Sequence, residues 1–263
     1  MANAQQVVLL PRIPRGGSVE HFYHFLMSYF LPLDVYIGRE QPDSIVVRDC
    51  GPMNPWFELL DPRTSIEIRP ARQFAADESG EVPGAVYVPS LEIKSWAQAR
   101  AIRAARKRIL TRHGMSLTRP AENSLTLIKR MPSLPFYLEE AEIRTSGAER
   151  RSLPNFAELR DALAEVMPLK EFEGEHLTPL EQVRQVNSTT MLVGQHGAGL
   201  ANVIWMTQGA SVVEILPDTK IGWAGRRHFR DLASACGHSY RMVRQQDNHT
   251  PADVAAVLRA VGR

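Results

Sequence analysis

The sequence predicts an α/β protein whose second half is a doubly wound parallel sheet. Its 263 residues suffice for one large domain or two small ones. Apolar runs of strand length alternate with helix-length segments along the second half, which is the pattern of strands joined by helical crossovers. Hydrophobic residues make up 44% of the chain and charged residues 23%. These values argue against disordered, collagen-like and coiled-coil chains.

Short apolar runs separated by proline and glycine predict strands in the first half. Residues 21–33 are densely aromatic and aliphatic, which favours a helix buried on most sides. Residues 95–113 are rich in alanine and arginine and are followed by Gly114, so we expect a helix that ends there. The predicted strands of this half are 7–10, 35–37, 45–47, 66–68 and 86–88.

Beyond residue 118 the alternation of strands and helices becomes regular. The strands are continuous apolar runs, which indicates a parallel sheet covered on both faces. We therefore place a domain boundary near Arg119, giving domains of residues 1–118 and 119–263. The predicted strands are 125–128, 169–172, 191–193, 211–216 and 240–243, and the predicted helices are 156–166, 180–187, 200–206, 228–235 and 251–261.

Charge and cysteine usage exclude several classes of protein. Lys and Arg number 31 against 29 Asp and Glu, a formal charge of +2, which is too near balance for the broad basic surface of a nucleic-acid-binding protein. Cys50 and Cys236 are far apart and lack metal-site spacing, so we expect neither a disulfide framework nor a structural zinc site. No apolar segment approaches the roughly 20 residues that span a bilayer, and no export signal is evident. We expect a cytoplasmic protein.

Residues 191–217, MLVGQHGAGLANVIWMTQGASVVEILP, have the pattern of strand, tight turn, helix and strand. The turn after such a strand lies at the carboxyl edge of the sheet, where open α/β folds bind ligands. Gly197 and Gly199 would let a diphosphate approach the backbone at a helix N-terminus, and His196 is able to donate a hydrogen bond to it. A Gly-Ala-Gly turn is also compatible with simple tight packing.

Glu214 lies inside the last strand of this segment, among apolar residues. A carboxylate buried there needs a hydrogen-bond donor. A ribose diol is one such donor, and an internal arginine or backbone N–H is the other.

The run HGAGL, Asn202 and VVEILP, in this order, resembles the signature of glycosyltransferase family 61. Two further stretches agree, LIKR at 127–130, followed by Arg150, Arg151 and Asn155, and HFYHFL at 21–26. The resemblance implies a GT-B fold, two Rossmann-like domains facing a central cleft, with residues 1–118 on the acceptor side and 119–263 binding a nucleotide sugar. It implies inverting transfer of a sugar to a glycan acceptor, in bacterial members for surface or capsular polysaccharide.

The same resemblance assigns a donor site. Arg130 and Arg151 would counter the diphosphate charge, since each guanidinium can bind phosphate oxygens in a bidentate fork. Glu214 would bind the ribose. The arginines and the helix N-terminus do the work that a metal does elsewhere, no D-x-D motif occurs, and no metal cofactor is expected. The donor-binding residues would be Arg130, Arg151, His196, Gly197, Ala198, Gly199, Asn202 and Glu214.

The general base is the open part of this assignment. An inverting transfer needs a group that takes the proton of the acceptor hydroxyl. In the family, the histidine that matches His24 is commonly followed four residues later by an acidic residue, but Ser28 stands there in this chain. His24, His21 and Asp34 are the nearest candidates. Otherwise the acceptor brings its own nucleophile, or the chain is a catalytically impaired nucleotide-sugar-binding protein.

Two alternatives concern other classes of function. A nucleotide-cofactor oxidoreductase also has a glycine turn between strand and helix, but it needs a G-x-G-x-x-G motif that is absent here. Residues 100–112 carry six basic residues, which form either a solvated helix face or a contact with an anionic acceptor or the cytoplasmic leaflet. Peripheral membrane association is therefore an expectation.

Overall fold

The computed structural model describes residues 6–13, 17–74, 76–77, 81–139, 147–218 and 227–262. The chain forms two compact units, Met1–His113 and Gly114–Arg263. This division lies before the boundary drawn after residue 118, because the intervening segment hydrogen-bonds to the second unit. The side-chain amide of Asn187 donates to the carbonyl of Ser116 at 2.9 Å, and the backbone N–H of Gln208 donates to that of Leu117 at 3.1 Å.

The first unit contains a four-stranded parallel sheet in the order β3-β2-β1-β4. Its strands include four of the five predicted apolar runs. The long helix predicted at 95–113 is confirmed, and Gly114 follows it with a φ of +70°. The strands are β1 Val7–Pro11, β2 Ser44–Arg48, β3 Ser65–Arg69 and β4 Ala85–Val88, and the helices are α1 Phe22–Phe25, α2 Leu31–Glu40 and α3 Trp96–Arg112.

The strand predicted at 35–37 is wrong, because these residues lie in α2. Three consecutive residues of high β propensity favour a strand locally, but tertiary contacts override the preference. Asp34, one residue earlier, is buried and receives hydrogen bonds from Arg108 on α3 at 2.9 and 2.6 Å. This ion pair ties α2 to α3.

The helix predicted at 21–33 is present in three consecutive pieces. Between α1 and α2 the backbone forms a π-helix, Leu26–Phe30, whose five residues are all buried. A π-helix widens the turn, so residues four apart no longer lie one above the other. Two 3-10 helices, Gly51–Leu59 and Ala71–Gln73, were not predicted.

The second unit contains a five-stranded parallel sheet in the order β6-β5-β7-β8-β9. All five predicted strands are confirmed. The chain leaves β5 for one neighbour and returns on the other side of it, so the order reverses between β5 and β7. The strands are β5 Leu125–Ile128, β6 Leu169–Phe172, β7 Met191–Gln195, β8 Ser211–Pro217 and β9 Ser239–Gln245, and the helices are α4 Pro135–Glu139, α5 Gly147–Arg150, α6 Phe156–Ala164, α7 Pro179–Asn187, α8 His228–Ala235 and α9 Val254–Val261.

Helices α6 and α9 pack on one face of this sheet. Alternate residues of the central strands, such as Val193, Val213 and Ile215, form a buried apolar cluster with them. Glu214 therefore points to the opposite face, since successive side chains of a strand alternate. On the side where α7 and α8 lie, the predicted α-helix at 200–206 is instead a 3-10 helix, Ala198–Trp205, which contacts both.

None of the helices in the described residues is both long and apolar enough to cross a membrane.

Candidate functional site

The candidate site lies at the carboxyl edge of the second sheet, between β5 and β7. Arg130 follows the end of β5, and Gly197 follows the end of β7. The strand order reverses between these two strands, and open α/β sheets bind ligands at the carboxyl edge where such a reversal occurs.

Two guanidinium groups converge on one backbone carbonyl at this edge. The Nη1 of Arg130 donates to the carbonyl oxygen of His196 at 3.1 Å, and the Nη1 of Arg151 donates to the same oxygen at 3.4 Å. The Nε of Arg151 also donates to Oδ1 of Asn248 at 3.1 Å. The fold brings Arg130 and Arg151 to the same carbonyl although twenty residues separate them in the sequence.

In the part of the chain that the structure describes, these two arginines have no carboxylate in direct contact, although Glu175 favours the charge of Arg130 and Glu214 that of Arg151 from a greater distance. Within the described ranges, neither guanidinium forms an ion pair with Asp or Glu. Burial and the neighbouring charge of Arg150 lower the pKa of Arg130 to about 10. Burial, Arg150 and Arg130 lower the pKa of Arg151 to about 10 as well. Both remain cationic at neutral pH, so the edge is a concentrated positive charge that attracts an anion.

The three glycines of the turn have different roles. A Cβ at Gly197 would lie 2.0 Å from Nη1 of Arg130, so a side chain there would displace the guanidinium. A Cβ at Gly194 would lie 3.0 Å from Cδ1 of Ile128, and one at Gly199 would lie 3.3 Å from its Cγ2. Gly194 and Gly199 are thus explained by packing against β5, whereas Gly197 makes room for a cation.

Glu214 is enclosed by two protein donors. It is 1% exposed, its Oε1 is hydrogen-bonded to Nδ1 of His196, and its Oε2 accepts a hydrogen bond from the hydroxyl of Tyr240 at 2.6 Å. Burial and the Glu214 carboxylate raise the pKa of Tyr240. The tyrosine is therefore a neutral donor. An internal partner satisfies this carboxylate, although histidine and tyrosine provide it rather than arginine or backbone.

Asn202 and Ala198 lie in the 3-10 helix that follows the turn. Asn202 is 1% exposed, and its side-chain amide donates to the carbonyl of Gly199 at 3.1 Å. This hydrogen bond fixes the carbonyl of Gly199 from the buried side of the turn. Ala198 is partly exposed at the start of the helix. Their assignment to donor binding stays a prediction.

The candidate bases lie in the first unit. His21 has an extended backbone and precedes α1, so it does not share a helix with His24, which lies within α1. Ser28 is fully buried in the π-helix, and its hydroxyl is 3.0 Å from that of Ser90. Asp34 is 1% exposed; burial raises its pKa, while hydrogen bonds and charge from Arg108 and Arg112 oppose this effect. The contacts of Asp34 are those of a counter-ion to two arginines, and the assignments of His24, His21 and Asp34 as candidate bases stay predictions.

Sequence reasoning missed Tyr240 and Asn248. Tyr240 lies on β9, which pairs directly with β8, so its contact with Glu214 follows from strand adjacency. A tyrosine in the strand after a buried carboxylate is a signal that could have been used. Asn248 lies in a loop and has no such signal. In the parts of the chain that the structure describes, no group of three or more His, Cys, Asp or Glu side chains is arranged to hold a metal ion.

The family model for glycosyltransferase 61 matches residues 22–213. Alpha-1,3-arabinosyltransferase XAT3 of Oryza sativa subsp. japonica is 36% identical over 58 residues, which are 22% of this chain and 10% of that protein. The corresponding XAT2 enzyme is 36% identical over 56 residues, 21% of this chain and 10% of its own length.

A mammalian relative aligns over a longer segment. The EGF domain-specific O-linked N-acetylglucosamine transferase of Canis lupus familiaris is 30% identical over 115 residues, 42% of this chain and 21% of that protein. The aligned parts thus cover between about a tenth and a fifth of the curated relatives' own length.

Proposed function

Because this chain belongs to the glycosyltransferase 61 family, we propose that it transfers a sugar from a nucleotide-sugar donor to a glycan acceptor, with inversion at the anomeric carbon. The observation that carries the proposal is the pair Arg130 and Arg151, which meet at the carbonyl of His196 without a carboxylate counter-ion in the described residues. A diphosphate is the group of a nucleotide sugar that would supply the missing negative charge.

The proposed fold is GT-B, with the first unit on the acceptor side and the second unit binding the donor. Two features support it. Each unit contains its own parallel sheet, and the arginine pair lies at the ligand-binding edge of the second sheet. The acceptor would be a polysaccharide or another glycan.

The mechanism requires two groups from the protein. The acceptor hydroxyl attacks the anomeric carbon, its oxygen forms the new glycosidic bond, and its proton passes to a base, for which we propose His24. The bond between the anomeric carbon and the diphosphate oxygen breaks, and the diphosphate leaves with the electron pair. Arg130 and Arg151 stabilise the charge that collects on this leaving group, which is the role a divalent metal has in other transferases.

The test is a binding experiment with nucleotides. Thermal unfolding is followed with UDP, GDP, CDP, CMP, ADP and NAD for the wild type, Arg130→Gln and Arg184→Gln, the last an exposed arginine on α7. We expect one nucleoside diphosphate or CMP to stabilise the wild type and Arg184→Gln by about 2.7 kcal/mol at 100 times its dissociation constant, and Arg130→Gln much less. Stabilisation by none of them, or by NAD alone, would contradict the proposal.

A second candidate is a nucleotide-sugar-binding protein without catalysis. The observation that favours it is Ser28, which stands where the family commonly has an acid and is buried against Ser90. Such a protein would bind the nucleotide sugar but would neither transfer the sugar nor hydrolyse the donor. Turnover of radiolabelled donor, measured with the nucleotide that binds, separates the two functions.

A third proposal concerns location, and it rests on α3. This 17-residue helix contains no acidic residue, and Trp96 at its start is 86% exposed. Arg100, Arg103 and Lys107 follow on the same exposed side at intervals of four, three and four residues. A basic stripe with an exposed tryptophan complements an anionic lipid surface. We propose that α3 contacts such a surface.

A further inference from the structure

We infer that His196 takes up a proton when the diphosphate binds, and that Glu214 is a positioning residue that holds the imidazole ring for this purpose rather than a ribose ligand. This inference rests on the proposed function and deepens it, because it names the protonation state of the donor site.

Both oxygens of Glu214 already have protein partners, and a ribose has no open approach to them. The two oxygens face His196 Nδ1 and the Tyr240 hydroxyl, and the side chain is 1% exposed. A ribose diol would have to displace one of these partners and enter a closed space. The hydrogen bonds of this buried carboxylate fix the orientation of the His196 ring and of the Tyr240 hydroxyl.

Both the backbone and the ring of His196 are held by neighbouring residues. Its backbone N–H donates to the carbonyl of Ile215 at 2.8 Å, and its ring packs edge-on against Phe229 with centroids 5.2 Å apart. Nδ1 is bonded to Glu214, so Nε2 is the nitrogen available to a ligand; in the described residues Nε2 has no hydrogen-bond partner. The same residue offers its carbonyl to Arg130 and Arg151. An anion bound to these guanidinium groups is therefore next to His196.

Charged and polar groups surround the ring. Glu214, from β8, is hydrogen-bonded to Nδ1, and the Tyr240 hydroxyl, from β9, donates to the same carboxylate. Arg130 and Arg151 place positive charge at the carbonyl of His196. Arg230 and Asp231, on α8, act on Tyr240 with opposite signs. A bound diphosphate neutralises the arginines and adds negative charge, so binding shifts the ring toward the protonated form.

The chemical consequence is a third cation at the leaving group. The Nε2–H of the imidazolium donates to a diphosphate oxygen, and this hydrogen bond strengthens as the bond to the anomeric carbon breaks and its electron pair moves to the diphosphate. The proton remains on the imidazole, and the acceptor's own proton goes to the separate base. Glu214 touches neither the donor nor the reacting atoms.

The experiment measures proton uptake directly. Binding of inorganic pyrophosphate, and of the nucleoside diphosphate that binds best, is followed by titration calorimetry in two buffers of different ionisation enthalpy at the same pH. We expect wild-type protein to take up a fraction of a proton on binding. His196→Gln should lose this uptake and bind about tenfold more weakly, and Glu214→Gln should reduce the uptake for both ligands alike.

The control variant is His176→Gln. His176 is also paired with a glutamate, Glu173, but its side chain is 62% exposed, and we expect no change in uptake or affinity. Tyr240→Phe keeps the bond between Glu214 and His196 and should retain uptake. If Glu214→Gln fails to fold, the inference is tested by comparing His196→Gln, which should lose proton uptake, with Tyr240→Phe, which should retain it.

Three results would overturn the inference. If the wild type binds these ligands without proton uptake, the inference about His196 is wrong and the proposed function is unaffected. Glu214→Gln that binds pyrophosphate normally but no longer distinguishes a nucleoside diphosphate from its 2′-deoxy analogue would make Glu214 the ribose ligand. No binding of either ligand by the wild type would overturn both the inference and the proposed function.

Discussion

The guanidinium of Arg130 occupies the space that a side chain at position 197 would fill. Its Nη1 lies 3.1 Å from the carbonyl of His196, and a Cβ on Gly197 would lie 2.0 Å from the same nitrogen. The φ of Gly197 is 165°, an extended value that any residue adopts. The glycine is thus required by the arginine and not by the backbone.

Gly197→Ala should therefore weaken anion binding without unfolding the protein. The methyl group would force Arg130 away from the carbonyl, and we expect pyrophosphate affinity to fall about tenfold, or about 1.4 kcal/mol. Titration calorimetry measures the affinity. Gly199→Ala is the matched control, because its methyl group would press on Ile128 instead; it should change stability more than affinity. Equal affinity losses in both variants would contradict this account.

Arg151→Lys should weaken binding even though it keeps the charge. Arg151 uses two different nitrogens, Nη1 toward His196 and Nε toward Asn248, and a lysine ammonium cannot reproduce that fork. We expect a loss of about 1–2 kcal/mol in the binding free energy of a nucleoside diphosphate. Added salt should weaken binding of the nucleoside diphosphate to the wild type and to Arg151→Lys alike. If Arg151→Lys binds the nucleoside diphosphate as tightly as the wild type does, the positive charge at position 151 is sufficient and the shape of the guanidinium is not needed.

The sequence predicted those parts of the molecule that depend on local patterns. Continuous apolar runs identified all five strands of the second sheet, and Gly114 marked the end of α3. The failures depend on distant partners. Residues 35–37 are helical beside the contact between Asp34 and Arg108, which lie 74 positions apart.

The site divides in the same way. The glycine turn and Arg130 are visible because each lies directly after a strand. The enclosure of Glu214 depends on a tyrosine 26 residues away, and the support of Arg151 depends on Asn248, 97 residues away. The tyrosine contact becomes visible only once β9 is paired with β8, and the Asn248 contact has no pattern in the sequence.

Asp34→Asn should destabilise the protein by about 1–3 kcal/mol, because an amide nitrogen would replace one of the two buried oxygens that accept hydrogen bonds from Arg108 and Arg112. Urea unfolding measures this loss. Asp161→Asn is the control, since the Asp161 side chain is 68% exposed in its pair with Arg160, and it should cost less than about 1 kcal/mol. A stable Asp34→Asn variant that had lost only turnover would instead make Asp34 a catalytic group.

Contact of α3 with anionic lipid should be measurable by co-sedimentation with vesicles. The wild type should bind vesicles that contain phosphatidylglycerol, bind vesicles of phosphatidylcholine weakly, and dissociate as salt is added. Neutralising Arg100 and Lys107 together should lower the affinity about tenfold or more, since each basic residue near the surface contributes about 1 kcal/mol. Trp96→Ala should weaken binding further, whereas Arg259→Gln on the exposed side of α9 should not. Equal binding by all variants would remove α3 from the contact.

His24→Gln should reduce the turnover number by about 10²-fold or more while the donor affinity is unchanged, because a base acts on the acceptor proton and not on the diphosphate. The wild-type rate should fall at acid pH as the imidazole is protonated, and this acid limb should be missing from the residual activity of the variant. His21→Gln is the control. His21 precedes α1 with an extended backbone, and its carbonyl accepts the N–H of Phe25 at 2.9 Å, a contact that glutamine preserves. If His21→Gln removes the acid limb and His24→Gln does not, the base is His21; if neither does, the proton goes to another group.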